Sequence, residues 1–200
     1  VEPDGKNSKQ KLGTAVRQGI YGQISSEKIA FLVDVSGSML AGTDEKGNRM
    51  EIAQRELSKV IQRQLSPKTY FNIITFAEEV SPFKTRLVKA KKGSINKALS
   101  FIAKLEAGGE TNAFDALQKA FEDSNVDTIY FLSDGSPTTG TETIPSIILR
   151  LIKKKNRYRK VIINCIGFFP GNAKHEDKAA AGKFLKRLAE ENDGFYREIY

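Results

Sequence analysis

Three oxygen-bearing side chains stand at alternate positions in one short segment of this 200-residue sequence. They are Asp34, Ser36 and Ser38, with Gly37 between the two serines. Alternate side chains of an extended or turning backbone point the same way, and Gly37 allows a tight path, so one carboxylate and two hydroxyls can converge on one point. Such donors suit a hard cation such as Mg²⁺, which takes six oxygen ligands at about 2.0–2.1 Å.

Two more oxygen donors stand far along the chain in short polar segments. Thr111 follows Gly108-Gly109-Glu110, and Asp134 stands directly before Gly135. Taken singly, a threonine or an aspartate at such a place is usually a turn residue or a helix cap. Brought together with the first segment, the two residues would add a third hydroxyl and a second carboxylate to one set of ligands. The candidate metal ligands are therefore Asp34, Ser36, Ser38, Thr111 and Asp134.

Six short apolar segments predict strands that could position these residues. The first, residues 29–33, is a continuous apolar run directly before Asp34, which is typical of a strand buried on both faces. The third contains Pro82, which favours a sheet edge because proline lacks the amide hydrogen that a ladder needs. The predicted strands are residues 29–33, 70–76, 80–88, 128–132, 161–166 and 195–199.

Apolar residues at helical spacing predict five helices between these strands. The first covers residues 49–65 and stops before Pro67, and the second is ended by Gly108-Gly109. The other three have apolar faces within residues 114–121, 144–151 and 181–188. Because strands alternate with helices, the sequence predicts an α/β fold with an open, mostly parallel sheet and helices on both faces.

The candidate ligands all lie where such a fold binds its ligands. In doubly wound sheets, ligands bind beyond the carboxyl ends of the strands, at the place where the strand order reverses. Residues 34–38 follow the first predicted strand, Asp134 follows the fourth, and residues 108–112 lead into the helix before the fourth. We therefore expect the three segments to meet at one edge of the sheet and to form an oxygen-only site.

The three segments together resemble the motifs of a known family. The run Phe31-Leu32-Val33-Asp34-Val35-Ser36-Gly37-Ser38-Met39 resembles the metal-ion-dependent adhesion site of von Willebrand factor type A domains. Gly108-Gly109-Glu110-Thr111-Asn112 resembles that family's threonine loop, with Glu110 varying the local spacing slightly, and Phe131-Leu132-Ser133-Asp134-Gly135 resembles its second aspartate loop. The resemblance runs in order over residues 28–200, and all five candidate ligand positions match.

The resemblance implies both a fold and a division of roles at the site. The expected fold is Rossmann-like and doubly wound, with a mostly parallel six-stranded sheet that has one antiparallel edge strand. Ser36, Ser38 and Thr111 would be hydroxyl ligands, whereas Asp34 and Asp134 would bind the cation directly or through water. Mg²⁺ is the expected cation, with Mn²⁺ or Ca²⁺ as substitutes.

The function that the resemblance implies is protein binding rather than catalysis. One coordination position would be left to water or to an Asp or Glu carboxylate of a protein partner, because three neutral hydroxyls do not fully satisfy a dication. The expected domain, residues 28–200, would be monomeric and would follow a lead-in, residues 1–27, that is irregular or partly packed on the domain.

Two other functions remain open as alternatives. A metal-dependent hydrolase could use the same ion as a Lewis acid, but no obvious base or nucleophile accompanies the ligands, and the one histidine, His175, lies in a charged segment predicted to be a loop. An RNA-associated scaffold could use a basic cluster, but the solvated end of a helix is the preferred explanation of this cluster. Tyr158 is its one aromatic residue, so nucleic-acid binding is not favoured. The cluster consists of Lys153, Lys154, Lys155, Arg157, Arg159 and Lys160.

Composition narrows the remaining classes of protein. The net charge is +8, and 40% of the residues are hydrophobic, which is ordinary for a globular domain. The one cysteine, Cys165, excludes an intrachain disulfide and a zinc site built from several thiolates. No apolar stretch approaches the roughly 20 residues of a membrane span, so none is predicted, and the compartment stays undetermined.

Overall fold

The structure is a computed structural model that describes residues 19–42, 47–169 and 175–199, apart from the side chains of residues 175–177. The prediction for residues 1–18 and the prediction for the side chain of His175 lie outside the described residues. His175 is the first residue of a helix, so its backbone is helical rather than part of a loop.

Strands and helices alternate along the described chain, as the sequence predicts. The strands are β1 (Lys28–Asp34), β2 (Tyr70–Phe76), β3 (Val80–Pro82), β4 (Val88–Lys89), β5 (Thr128–Ser133), β6 (Ile162–Phe168) and β7 (Tyr196–Ile199). The α-helices are α1 (Arg49–Arg63), α2 (Lys92–Ile102), α3 (Ala113–Glu122), α4 (Pro145–Asn156) and α5 (His175–Glu190), and a 3₁₀ helix covers Gly37–Leu40. None of the helices in the described residues has the length and apolar character that a membrane span requires.

The sheet has the mixed, mostly parallel arrangement expected of the doubly wound class. Its strand order is β3-β2-β1-β5-β6-β7, and β4 also pairs with β2. Both β3 and β4 run antiparallel to β2, and the other pairs are parallel. The predicted fold class is confirmed, with seven strands in place of six because residues 80–88 form two short strands rather than one.

The strand order reverses at β1, which lies between β2 on one side and β5 on the other. The chain therefore leaves β1 and β5 in opposite directions across the sheet, and a crevice opens between their carboxyl ends. This is the edge where the sequence places the candidate ligands.

Two apolar cores lie on opposite faces of the sheet, because alternate residues of each central strand point to opposite faces. In β1, Phe31 packs on the face covered by α1 and α2, whereas Leu32 packs on the face covered by α3, α4 and α5. Both side chains are fully buried. The continuous apolar run of β1 is thus explained by burial on both faces.

The segment before β1 belongs to the packed body of the domain. Tyr21 is fully buried, and its ring centroid lies 5.6 Å from those of Phe31 and Tyr130. The Arg197 guanidinium in β7 donates hydrogen bonds to the carbonyl oxygens of Gly19 and Ile20, at 2.9 and 3.1 Å. These contacts fasten the segment to the same sheet face that α1 and α2 cover.

The end of α2 differs from the prediction. The helix ends at Ile102 rather than at Gly108-Gly109. The Gln54 side chain of α1 donates to the carbonyl oxygens of Ile102 and Leu105, at 2.9 and 3.0 Å, so the chain leaves the helix with these carbonyls satisfied. The two glycines consequently lie in the loop that carries Thr111.

Candidate metal centre

The sheet register brings the ends of β1 and β5 side by side. Asp34, the last residue of β1, lies opposite Phe76 of β2, and Val33 lies opposite Leu132 of β5. Asp134 follows the last residue of β5, so it emerges at the same edge as Asp34. The structure therefore brings together two carboxylates that stand 100 positions apart in the sequence.

A chain of hydrogen bonds connects the oxygen donors of the two loops. Asp34 Oδ1 accepts a hydrogen bond from the backbone N–H of Ser36 at 2.8 Å. The hydroxyls of Ser36 and Ser38 lie 3.1 Å apart, and the Ser38 hydroxyl donates to Asp134 Oδ1 at 2.7 Å. Four of the five candidate ligands thus form one hydrogen-bonded cluster.

Asp34 is a fully buried carboxyl group at one end of this hydrogen-bonded cluster. Burial, followed by repulsion from Asp134, raises the pKa of Asp34 to about 6, while hydrogen bonds from Ser133 and Ser36 act in the opposite direction. The Ser133 hydroxyl donates to Asp34 Oδ2 at 2.5 Å. A positive charge at this position would favour the ionised carboxylate.

Thr111 is held beside the same loops by backbone hydrogen bonds. The N–H of Gly37 donates to the carbonyl of Gly109 at 2.9 Å, and the Thr111 N–H donates to the Thr138 hydroxyl at 2.9 Å. A Cβ built on Gly135 would lie 4.0 Å from the Thr111 hydroxyl. The structure therefore places the Thr111 side chain next to the residue that follows Asp134.

The sequence predicts that Gly37 allows a tight turn between the two serines, but other glycines of the site are the ones that the backbone requires. Gly37 begins the 3₁₀ helix, and a Cβ there would make only an ordinary contact with the Gly109 carbonyl at 3.5 Å, so the turn between the serines does not depend on glycine. Gly109 and Gly140 adopt φ values of +77° and +104°, which L side chains rarely do. A Cβ on Gly140 would also lie 2.0 Å from Asn112 Oδ1.

Asn112 supports the Thr111 loop from three directions. As the N-cap of α3, its Oδ1 accepts a hydrogen bond from the N–H of Asp115 at 3.2 Å. Its amide donates to the Glu78 carbonyl at 3.3 Å, and its own N–H donates to the Ala77 carbonyl at 2.9 Å. Asn112, rather than Thr111, therefore caps this helix.

Replacing Asn112 with alanine is expected to lower the free energy of unfolding by about 1–2 kcal/mol, the usual effect of losing a cap. The loop that positions Thr111 also loses the hydrogen bond from the Asn112 amide to the Glu78 carbonyl, so Mn²⁺ affinity should fall by about 10-fold to 100-fold. Urea unfolding and calorimetric Mn²⁺ titration measure the two effects. Asn96→Ala, an exposed asparagine on α2, should change neither. Equal Mn²⁺ affinity in Asn112→Ala and wild type would contradict the supporting role.

Arg49 contacts the candidate site although sequence reasoning did not single it out. It is the first residue of α1, and its guanidinium forms an ion pair and hydrogen bond with Asp134 Oδ2. A cation in the first turn of a helix is opposed by the helix dipole. That unfavourable placement was the signal in the sequence that could have pointed to a specific anionic contact.

The donor set fits a hard divalent cation. Within the described residues, no group of three or more His, Cys, Asp or Glu side chains could hold a metal ion. The cluster instead combines the hydroxyls of Ser36 and Ser38 with the carboxylates of Asp34 and Asp134, and Thr111 lies beside it. Oxygen-only donors of this kind suit Mg²⁺, Mn²⁺ or Ca²⁺ rather than zinc or copper.

The basic cluster at residues 153–160 is partly used by the fold itself. Arg159 donates to the carbonyl oxygens of Phe121 and Asp123, both at 3.1 Å, and so ties the end of α3 to the segment before β6. Lys153 forms an ion pair with Glu191 at 3.5 Å. Lys155 donates a hydrogen bond to the side-chain carbonyl of Gln118, so at least three of the six cations have partners within the described part of the chain.

The chain matches the family model of the von Willebrand factor type A domain over residues 27–198. It therefore belongs to the von Willebrand factor type A family, whose domains are protein-interaction modules and in general not enzymes.

Curated relatives agree with this assignment, and a solved structure shares the fold. Inter-alpha-trypsin inhibitor heavy chain 4 of Mus musculus is 32% identical over 193 residues, a match that covers 88% of this chain and 18% of that protein. Von Willebrand factor A domain-containing protein 3B of Homo sapiens is 27% identical over 172 residues, covering 86% of this chain and 12% of that protein. The structure of a von Willebrand factor type A protein from Catenulispora acidiphila has a TM-score of 0.71 at 20% identity and covers 90% of this chain and 40% of that one. The chain thus spans less than a fifth of the length of these curated relatives.

Proposed function

We propose that this chain is a divalent-cation-dependent protein-binding module whose metal site recruits an acidic side chain of a partner. The observation that carries the proposal is the hydrogen-bonded cluster of Asp34, Ser36, Ser38 and Asp134 at the carboxyl edge of the sheet. Thr111 is the fifth proposed ligand, supplied by the adjoining loop. Mg²⁺ is the proposed cofactor, and Mn²⁺ or Ca²⁺ could replace it.

The chemistry of the donors explains why such a site would bind a partner. Ser36, Ser38 and Thr111 are neutral ligands, so the two aspartates supply all of the negative charge among the five donors. A bound dication would remain electrophilic, and an incoming Asp or Glu carboxylate would complete its coordination. Backbone hydrogen bonds from Gly37 to Gly109 and from Thr138 to Thr111 join the loops that carry the ligands, and such ties limit the entropy lost on binding.

Two exposed apolar side chains lie in the loops that carry the proposed ligands. Leu40 ends the 3₁₀ helix two residues after Ser38 and is 53% exposed, and Ile144 precedes α4 in the loop after Asp134 and is 52% exposed. Exposed apolar groups beside a polar centre are a common feature of protein-binding surfaces. They favour a partner segment in which the acidic residue has apolar neighbours.

Mn²⁺ titration with acetate as a surrogate partner tests this function. Calorimetry should show one Mn²⁺ site per chain, and EDTA should reverse the binding. Water-proton relaxation of the Mn²⁺-loaded protein should then fall as acetate is added, because the carboxylate displaces a bound water. Absence of Mn²⁺ and Mg²⁺ binding would refute the metal site. Tight Mn²⁺ binding without any effect of acetate would refute carboxylate recruitment.

A further inference from the structure

Arg49 places a buried positive charge inside the proposed metal site. Its guanidinium pairs with Asp134 Oδ2, while Oδ1 of the same carboxylate accepts the Ser38 hydroxyl. The Asp134 side chain is fully buried, and the Arg49 side chain is 11% exposed. Within the described residues, no other cationic side chain has an ion pair or hydrogen bond with a proposed ligand. The site therefore contains its own cation in addition to any metal.

Apart from its ion pair with Asp134, the position of Arg49 opposes folding. It lies in the first turn of α1, where the helix dipole opposes a positive charge. Its Nε–H is buried and has no hydrogen-bond partner in the described part of the chain, which also opposes folding. Attraction to the buried carboxylate of Asp134 is the compensating interaction that the structure shows.

The charges of Arg49, the two aspartates and a bound dication together affect how the site would bind a carboxylate. With both aspartates ionised, the two carboxylates carry two negative charges and Arg49 carries one positive charge, so a bound dication leaves one positive charge in excess. We propose that Arg49 is a specificity-determining residue, which lowers the affinity of the site for its cation and raises the affinity of the loaded site for one carboxylate. This inference rests on the proposed function. One incoming carboxylate then makes the assembled site neutral.

The two roles open to Arg49 predict opposite changes. If its charge is what matters, Arg49→Gln should bind Mn²⁺ more tightly and acetate more weakly, each by about tenfold. If Arg49 only holds Asp134 in place, the same substitution should weaken Mn²⁺ binding. Arg49→Lys keeps the charge but loses the planar fork of the guanidinium. It should therefore stay within about threefold of wild type for both ligands if charge decides.

The experiment measures Mn²⁺ affinity by calorimetry and acetate affinity by water-proton relaxation, at pH 7.5 and low salt, on wild type, Arg49→Gln and Arg49→Lys. Arg63→Gln removes the same charge from the exposed end of the same helix, about 20 Å away at 1.5 Å per residue, and controls for net charge. That control should match wild type for both ligands.

Each outcome decides one of the two proposals. Failure of the wild type to bind Mn²⁺ refutes the proposed function and this inference with it. If the wild type binds Mn²⁺ and acetate, weaker or unchanged Mn²⁺ binding in Arg49→Gln refutes this inference alone. If Arg49→Gln does not fold, Arg49→Met is measured in its place: tighter Mn²⁺ binding with weaker acetate binding supports the charge role, and weaker or unchanged Mn²⁺ binding overturns it.

Discussion

Asp34→Asn is expected to reduce Mn²⁺ affinity by at least about 100-fold, because loss of a ligand should exceed the effect of losing a supporting group. The substitution keeps the shape of the side chain but removes the charge that would face the cation. Its Oδ1 can still accept the Ser36 N–H, and burial no longer opposes an ionised group. The variant should therefore remain folded, and in EDTA it should unfold at no lower temperature than wild type.

Asp127→Asn is the matched control for this experiment. Asp127 is exposed and lies just before β5, at the end of the sheet opposite to the candidate site. The control should bind Mn²⁺ with wild-type affinity, and Mn²⁺ should raise its unfolding temperature as it does for wild type. If calorimetry gave the same affinity for Asp34→Asn as for this control, Asp34 would not be a ligand.

Phe131→Ala is expected to lower the free energy of unfolding by about 3–5 kcal/mol. Phe131 is fully buried in β5, and its ring stacks on Phe76 with a centroid separation of 5.1 Å. Truncation leaves a cavity between the centre of the sheet and the helices that cover this face. For a chain of this length the unfolding temperature should fall by about 6–20 °C, as measured by circular dichroism.

Two companion substitutions show whether this loss comes from packing. Phe131→Leu fills most of the cavity and should lose less than half as much stability as Phe131→Ala. Tyr158→Ala removes an aromatic ring that is 85% exposed and should change the free energy of unfolding by less than about 0.5 kcal/mol. A Phe131→Ala variant as stable as the Tyr158→Ala variant would contradict the packing described for this core.

Local sequence patterns predicted the fold because each central strand is buried and must therefore be apolar. The apolar runs of β1 and β5 are buried on both faces, so hydrophobicity alone marks them. The boundary errors lie where tertiary contacts decide the end of an element. The Gln54 side chain donates a hydrogen bond to the carbonyl oxygen of Ile102 at the end of α2, and these two residues stand 48 positions apart.

The candidate site was predictable only in part. Ligand-type residues at β1, at β5 and in the loop between them indicated five donors, and the structure joins four of these by hydrogen bonds. Sequence reasoning missed the parts played by Arg49 and Ser133. An arginine in the first turn of a helix signals some anionic contact without naming the partner, and a serine at the end of a strand has an ordinary local explanation. Their contacts with Asp134 and Asp34 depend on how distant segments pack.

The sequence by itself determined which residues can bind a hard cation and that they follow strands, because side-chain chemistry and hydrophobic patterns are local properties. Only the tertiary structure decided that Asp34 and Asp134 lie together, because this depends on β5 pairing with β1 rather than with another strand. It also decided the electrostatic balance of the site. Burial raises the pKa of Asp34, and folding brings the Arg49 charge to Asp134, and neither effect exists until the chain is packed.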